Sequence, residues 1–231
     1  MNAHSLASSP SSATLPSMGV SPLKVPTQDE ELVKARRKQI FLAVCRVLVR
    51  KSFHQATVKE IALEAGLAAG SLYVYLQSKE EILLLIADSM IAELVEALPE
   101  IHKRSHGDPR IELLGVMSCA IDVIDRYREA FAVLNHELRY LEQQSVYNDV
   151  LRSVIGPYRN ALSEPIIRGK ALGLIHYESL NSVVQAVHML CSGWAVGGRF
   201  LAKVDKETYR REITAIVAGR FFVTQLEGGT V

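Results

Sequence analysis

The stretch TVKEIALEAGLAAGSLYVYLQSKEEIL, residues 57–83, sets a helical pattern on either side of an Ala-Gly break. Thr57 opens the first half as T-V-K-E, where its hydroxyl can accept from the Glu60 amide and the Glu60 carboxylate can reach back to the Thr57 amide. Ile61, Ala62 and Ala65 then carry an apolar stripe as far as Gly66, a residue free to take the left-handed conformation that ends a helix. After Leu67 and Ala68 the pattern predicts a second helix over 69–76, and Ser78 with Glu81 in S-K-E-E predicts the cap of another. Ala65 and Gly66 are small enough for the two short helices to cross closely, which makes the unit a helix-turn-helix.

The rest of the chain extends this helical pattern in both directions. From Asp29, Ile40, Val44, Val47 and Leu48 share one face of a first helix, with acids in its first turn and Arg-Lys in its last, as the helix dipole prefers. Downstream, residues 80–98 read as a long amphipathic fourth helix closed by Pro99, and 101–109 as a loop. A striped helix follows, then one starting near Arg128, then a long helix that Pro157 and Pro165 bend or interrupt, then two more. The expected class is all-α with about nine helices: a tail over 1–28, a three-helix head over 29–76 with its motif at 57–76, and a larger helical domain over 77–231.

Composition removes several alternatives. At 231 residues, 48% of them hydrophobic, the chain can bury a core without cross-links, and its three cysteines show no paired spacing for zinc or disulfides. His102 and His106, followed by Gly-Asp-Pro with no third ligand, read as solvent-facing, so no metal is expected. The Ser-, Ala- and Pro-rich start lacks the apolar core of a signal peptide, which points to the cytoplasm. The apolar run 183–202 is broken by Gln185, His188 and Arg199, so no membrane partner is expected. We find no G-x-S-x-G elbow, phosphate-binding loop, G-x-G-x-x-G or H-E-x-x-H, which argues against an enzyme and leaves no cofactor implied.

The charge is unevenly placed in a way that suits a polyanion partner, although a run such as KARRK also reads as a solvated helix face. Residues 24–59 carry nine Lys and Arg, Lys38 among them, against three acids, a local balance of +6 set against −5 in the remainder. On the second motif helix Ala69, Gly70 and Ser71 are small enough for backbone to approach base edges, where Ser71 can donate or accept. Tyr73 and Tyr75 offer hydroxyls, and Lys79 an ammonium, to phosphate oxygens, although one tyrosine can instead serve as an anchor to the first helix.

Taken together, T-V-K-E-I-A-L-E-A-G-L-A-A-G-S-L-Y-V-Y-L-Q-S-K-E-E-I-L resembles the signature of the TetR/AcrR family of bacterial transcription regulators. The resemblance implies that Thr57 contacts backbone phosphate, that Ala69, Gly70, Ser71 and Tyr73 face bases, and that Tyr75 and Lys79 hold phosphates. It also implies a double-stranded operator, a homodimer formed by the last two helices, and a small-molecule effector that shifts helix four and releases the DNA. Three positions depart from the pattern. Ala68 replaces a capping Ser, Tyr75 a frequent His and Leu76 a frequent Phe, and Ala69 also lacks the polar side chain common there, so the basic first helix is expected to supply more of the affinity.

Gly193, Gly197 and Gly198 would let a partner helix approach. Asn135, His136, Arg139, Tyr140, His188 and Trp194 are polar or amphipathic groups on apolar helices and are the candidates for an effector pocket. Each also has an ordinary structural reading, such as Arg139 pairing with Glu142 or Glu137. The order N-H-E-L-R-Y is similar to the branch of the family that senses acyl-CoA thioesters, which tilts the effector towards an amphipathic molecule with an acyl or aromatic part. The rival is an all-helical carrier or enzyme with a vestigial DNA-binding head.

Overall fold

The computed structural model describes residues 29–143, 145–197 and 204–223, with backbone alone at 138–143, 145–150 and 196–197. The tail expected over 1–28, Gly198 and Arg199 lie outside the described residues.

The chain is all-helical, in the order α1 (Glu30–Arg50), a 3-10 turn (Phe53–Gln55), α2 (Val58–Glu64), α3 (Ala69–Leu72), α4 (Glu81–Ser105), α5 (Pro109–Arg126), α6 (Arg128–Gln143), α7 (Ser145–Ala171), α8 (Leu180–Gly197) and α9 (Lys206–Phe221). Extended pairing among the described residues is an isolated bridge between Ile175 and Phe222. Local chemistry explains the starts: Asp29, Asp108 and Asp205 each accept a backbone amide at the head of their helices, and Pro109 supplies the preset φ of a first turn.

α1 buries Ile40, Phe41, Ala43, Val44, Val47 and Leu48, the stripe its periodicity predicts. Arg37 is buried with them at 7% exposure and donates to Asp88 of α4 at 3.3 Å. It occupies the register i, i+3, i+4, i+7 with Ile40, Phe41 and Val44, a signal that a charge count passes over. Burial lowers its guanidinium pKa, and Asp88 and Glu81 work against that shift. Asp88→Ala is expected to lower unfolding free energy by about 2 kcal/mol, less than a fully buried pair would lose because Glu81 remains nearby. Arg37→Met should lose far less, and urea titrations of both variants distinguish the two effects.

α4 is the central element, packing on α1, α5, α6 and α7. It corrects one expectation, because Pro99 does not close it: the helix runs on to Ser105 and stops at His106, whose φ is 49°. A proline inside a helix removes one backbone hydrogen bond and crowds the preceding turn, at about 3 kcal/mol. Packing beyond it outweighs that loss. Ile101 lies so close to Gly115 of α5 that a Cβ there would stand 2.7 Å from Ile101 Cγ2. His102 is therefore helical, and it pairs with Glu112 at 3.0 Å, as does Arg168 of α7 at 2.5 Å. The same reasoning covers α7, which is continuous through Pro157 and Pro165 because Leu151, Val154, Ala161, Leu162 and Ile166 bury one face. Gly193 serves the chain's own packing, since a Cβ there would meet Tyr209 Oη of α9 at 2.6 Å.

Candidate nucleic-acid interface

The capping box at Thr57 is present: its Oγ1 accepts from the Glu60 amide at 3.2 Å, and Glu60 Oε2 accepts from the Thr57 amide at 3.1 Å. Lys51 also pairs with Glu60, and together these partners hold that carboxyl below its usual range. α2 ends as expected, with Gly66 at φ 68°, its amide bonded to Leu63 O at 3.0 Å and the Leu67 amide to Ala62 O at 2.8 Å. This paired closure is the Schellman arrangement, which turns the chain sharply enough to lay α3 across α2.

α3 is shorter than predicted. Helix covers only Ala69–Leu72, and 73–75 continue as turns in which the amides of Tyr75 and Leu76 both reach Leu72 O, at 2.9 and 3.0 Å. Ala68 offers no side-chain cap, Gly70 is a weak helix former, and Tyr73, Val74 and Tyr75 are branched or aromatic, so propagation fails once tertiary anchoring stops supporting it. Leu72 and Leu76 are that anchoring, at 0% and 1% exposure.

The opposite face is open. Thr57, Ala69, Gly70, Ser71 and Tyr73 are exposed, and a Cβ on Gly70 would find nothing within 4 Å. Tyr75 is half-buried and packs on the core, so it is the anchoring tyrosine of the two while Tyr73 is 54% exposed. Val74 joins this surface at 45% exposure, a position the sequence pattern did not single out. Lys79 donates to His54 O at 2.9 Å and lies 5.0 Å from the Phe53 ring centre, which leaves further donors on its ammonium. The Ser78 cap forms towards the Glu81 amide at 3.3 Å, while Glu81 reaches the Gln77 amide at 2.7 Å rather than that of Ser78.

The basic first helix is less available than its sum of charges implies. Lys34 pairs with Glu96, Arg37 with Asp88, Arg46 and Arg50 both with Glu64, and Lys51 with Glu60. Lys38 and Lys59 are exposed, Lys38 within electrostatic reach of Glu96 on α4.

The six effector-pocket candidates do not converge among the described side chains. Asn135 is half-buried, whereas His136 is exposed with Nδ1 3.0 Å from Glu137 Oε1. Arg139 and Tyr140 lie outside the described side chains. Trp194 is buried, donates to Asp125 at 2.8 Å and packs against Tyr209 with ring centres 5.4 Å apart and planes tilted by 42°, which is a packing role between α5, α8 and α9. His188 sits 3.1 Å from Tyr158 Oη and 3.4 Å from Ser192 Oγ, and burial lowers its pKa, favouring the neutral ring. Tyr158 was not apparent from sequence because α7 and α8 bring it to His188 across 30 positions, whereas Ser192 lies only four residues from His188 on α8, a spacing that helical periodicity could have shown. Burial pushes Cys45 and Cys191 up to about 12, so both thiols stay protonated near neutrality. Among the described residues no cluster of His, Cys, Asp or Glu could hold a metal ion, and no helix is long and apolar enough to cross a membrane.

An exposed second helix, held by a buried leucine pair and followed by a long helix into an all-helical body, is the arrangement of a helix-turn-helix head, the class of module that docks on DNA. Residues 40–86 match the model of the bacterial regulatory proteins of the tetR family, a span running from within α1 into α4. The fatty acid metabolism regulator protein of Bacillus subtilis (strain 168) is 27% identical over 135 residues, 57% of this chain and 69% of that protein. The HTH-type transcriptional regulator HbdR of Aromatoleum sp. (strain CIB) is 29% identical over 103 residues, and the match spans only 44% of its length. The ketosteroid regulator KstR2 of Mycobacterium tuberculosis shares the fold with a TM-score of 0.62 at 17% identity, covering 89% of this chain and 100% of that one. AibR in complex with isovaleryl coenzyme A and operator DNA gives 0.60 at 16% identity, covering 79% and 97%. Residues 40–86 thus carry the DNA-binding segment of the tetR family, whose members are non-enzymatic transcriptional regulators that bind operator DNA and small-molecule effectors.

Proposed function

We propose that this regulator is a dimeric repressor, released from a near-palindromic operator by a small amphipathic effector with an acyl or aromatic part. In this reading 29–76 form the DNA-binding head and 77–231 the effector-binding and dimerisation domain. The observation that carries the DNA reading is the open face of α3, where Gly70 leaves space for base edges and Leu72 and Leu76 point inward. Thr57, Ser71, Tyr73, Tyr75, Lys79 and Lys38 supply the surrounding contacts. The exposed Met189 of α8 and Ile216 of α9, at 58% and 55%, support pairing of these two helices with a second copy. Two recognition helices about one DNA turn apart then match a two-fold operator.

The acyl preference is supported by the relative named for fatty acid metabolism and by the similar fold solved with isovaleryl coenzyme A. Within the body, the Tyr158, His188 and Ser192 group supplies polar atoms among apolar helices, the kind of site that orients such a ligand. The effector lowers operator affinity only by its differential binding to two states, so DNA must weaken effector binding by the same factor.

The test is retardation of a duplex selected by the protein from a random pool, followed over a salt series. With Lys38, Lys59 and Lys79 of each head on phosphates, log K against log salt should fall with a slope of about −5. A slope near zero, or no duplex selected at low salt, defeats the reading and favours a carrier. A thermal-shift screen against acyl-CoAs, fatty acids and aromatic acids then tests the effector class.

A further inference from the structure

Head and body touch at a point that neither the motif nor the α4 connection requires. Glu137 on α6 places Oε1 3.2 Å from His54 Nε2 of the 3-10 turn and 3.0 Å from His136 Nδ1 of its own helix. Its side chain is 12% exposed, while the two imidazoles stand at 74% and 82%, so the carboxylate lies beneath the rings it receives. The same turn works in the other direction. The His54 carbonyl accepts from Lys79, and Phe53 provides the ring beneath that ammonium. Two residues beyond the turn, after the buried Ala56, stands Thr57, the cap of α2. A three-residue 3-10 segment does not sustain its own geometry, so what it touches decides where it holds Lys79.

We propose that Glu137 is a positioning residue for DNA binding. Through His54 it sets the turn that aims Lys79, and it gives the body a hold on the head through α6 as well as through α4. The inference rests on the reading of α3 and Lys79 as the DNA face. α6 also packs on α1, and Tyr127, at the α5–α6 junction, sets its ring 4.7 Å from Phe41 and donates to Glu93 of α4 at 2.8 Å. A shift of α6 along α1 by little more than an ångström is enough to break the His54 contact, since hydrogen bonds weaken steeply beyond their normal range.

Wild type, Glu137→Ala, Glu137→Gln, His54→Ala, Lys79→Ala and the double variant His54→Ala/Glu137→Ala are compared on the duplex that the wild type selects from a random pool. His54→Ala keeps the carbonyl that Lys79 uses, and alanine is well tolerated in α6. Glu137→Ala and His54→Ala should each weaken binding roughly two- to fivefold, the size one partly exposed charged contact supports, without lowering the melting temperature. The double variant should be no weaker than either single one, and Glu137→Gln, which keeps an acceptor oxygen, should recover most of the loss. Hydrogen exchange at the Gln55 and Ala56 amides, both bonded to Ser52 O, should quicken in Glu137→Ala. If Lys79→Ala weakens binding while Glu137→Ala and His54→Ala do not, or if their losses multiply, the role of Glu137 is overturned and the DNA reading stands. If wild type selects no duplex, both fall.

Discussion

Leu72→Ala should lower unfolding free energy by about 3 kcal/mol and, in protein that remains folded, abolish retention of the selected duplex. The side chain is fully buried and sits at the end of a helix of only four residues with no side-chain cap. Removing it leaves a cavity between α3 and the head core, which relaxes only in part. A helix this short has almost no stability of its own, so its orientation depends on burial of Leu72 and Leu76. Urea titration measures the first effect and gel retardation under folding conditions the second. Native stability combined with native DNA affinity in this variant would show that α3 is held by something other than its leucines.

Gly70→Glu should produce the same loss of DNA binding for the opposite reason. Space around the position is open, so the new side chain meets no protein atom, and glutamate favours helix over glycine by roughly 0.5–1 kcal/mol. The melting temperature should hold or rise slightly. Against a phosphate backbone, however, a carboxylate at the closest point of approach brings like charges together at a penalty of several kcal/mol, roughly a hundredfold or more in affinity. Gly70→Ala, which adds one methyl and no charge, separates steric from electrostatic exclusion and should lose much less. Unimpaired binding by Gly70→Glu would mean that α3 does not face the duplex.

The two variants mark where local and global information divide. Thr57 with Glu60, the Gly66 closure and the apolar stripe of α1 were legible in advance because each depends on neighbours within one or two turns, where backbone geometry and side-chain reach leave few choices. The exposure of Gly70 was legible too, since a residue two before the buried Leu72 lies on the far side of a helix, and small Ala69 and Ser71 flank it. Pro99 misled because its local preference is real but is outweighed by Ile101 packing on Gly115. The +6 balance overstated the free positive charge because Glu64, Glu96 and Asp88, remote in sequence from their partners, neutralise Lys34, Arg37, Arg46 and Arg50.

For the helices after α3, periodicity predicted the elements but not what they enclose. Trp194 turned towards Asp125 and His188 towards Tyr158, each choice set by a helix many residues away, while His136 met its own neighbour Glu137 at the surface. Sequence alone thus determined the helical class, the motif and the small exposed residues of α3, because those follow from contacts a few residues apart. Which cations stay free, which tyrosine anchors and how α6 reaches the head were decided only by tertiary structure, because packing brings together groups whose separation along the chain carries no local signal.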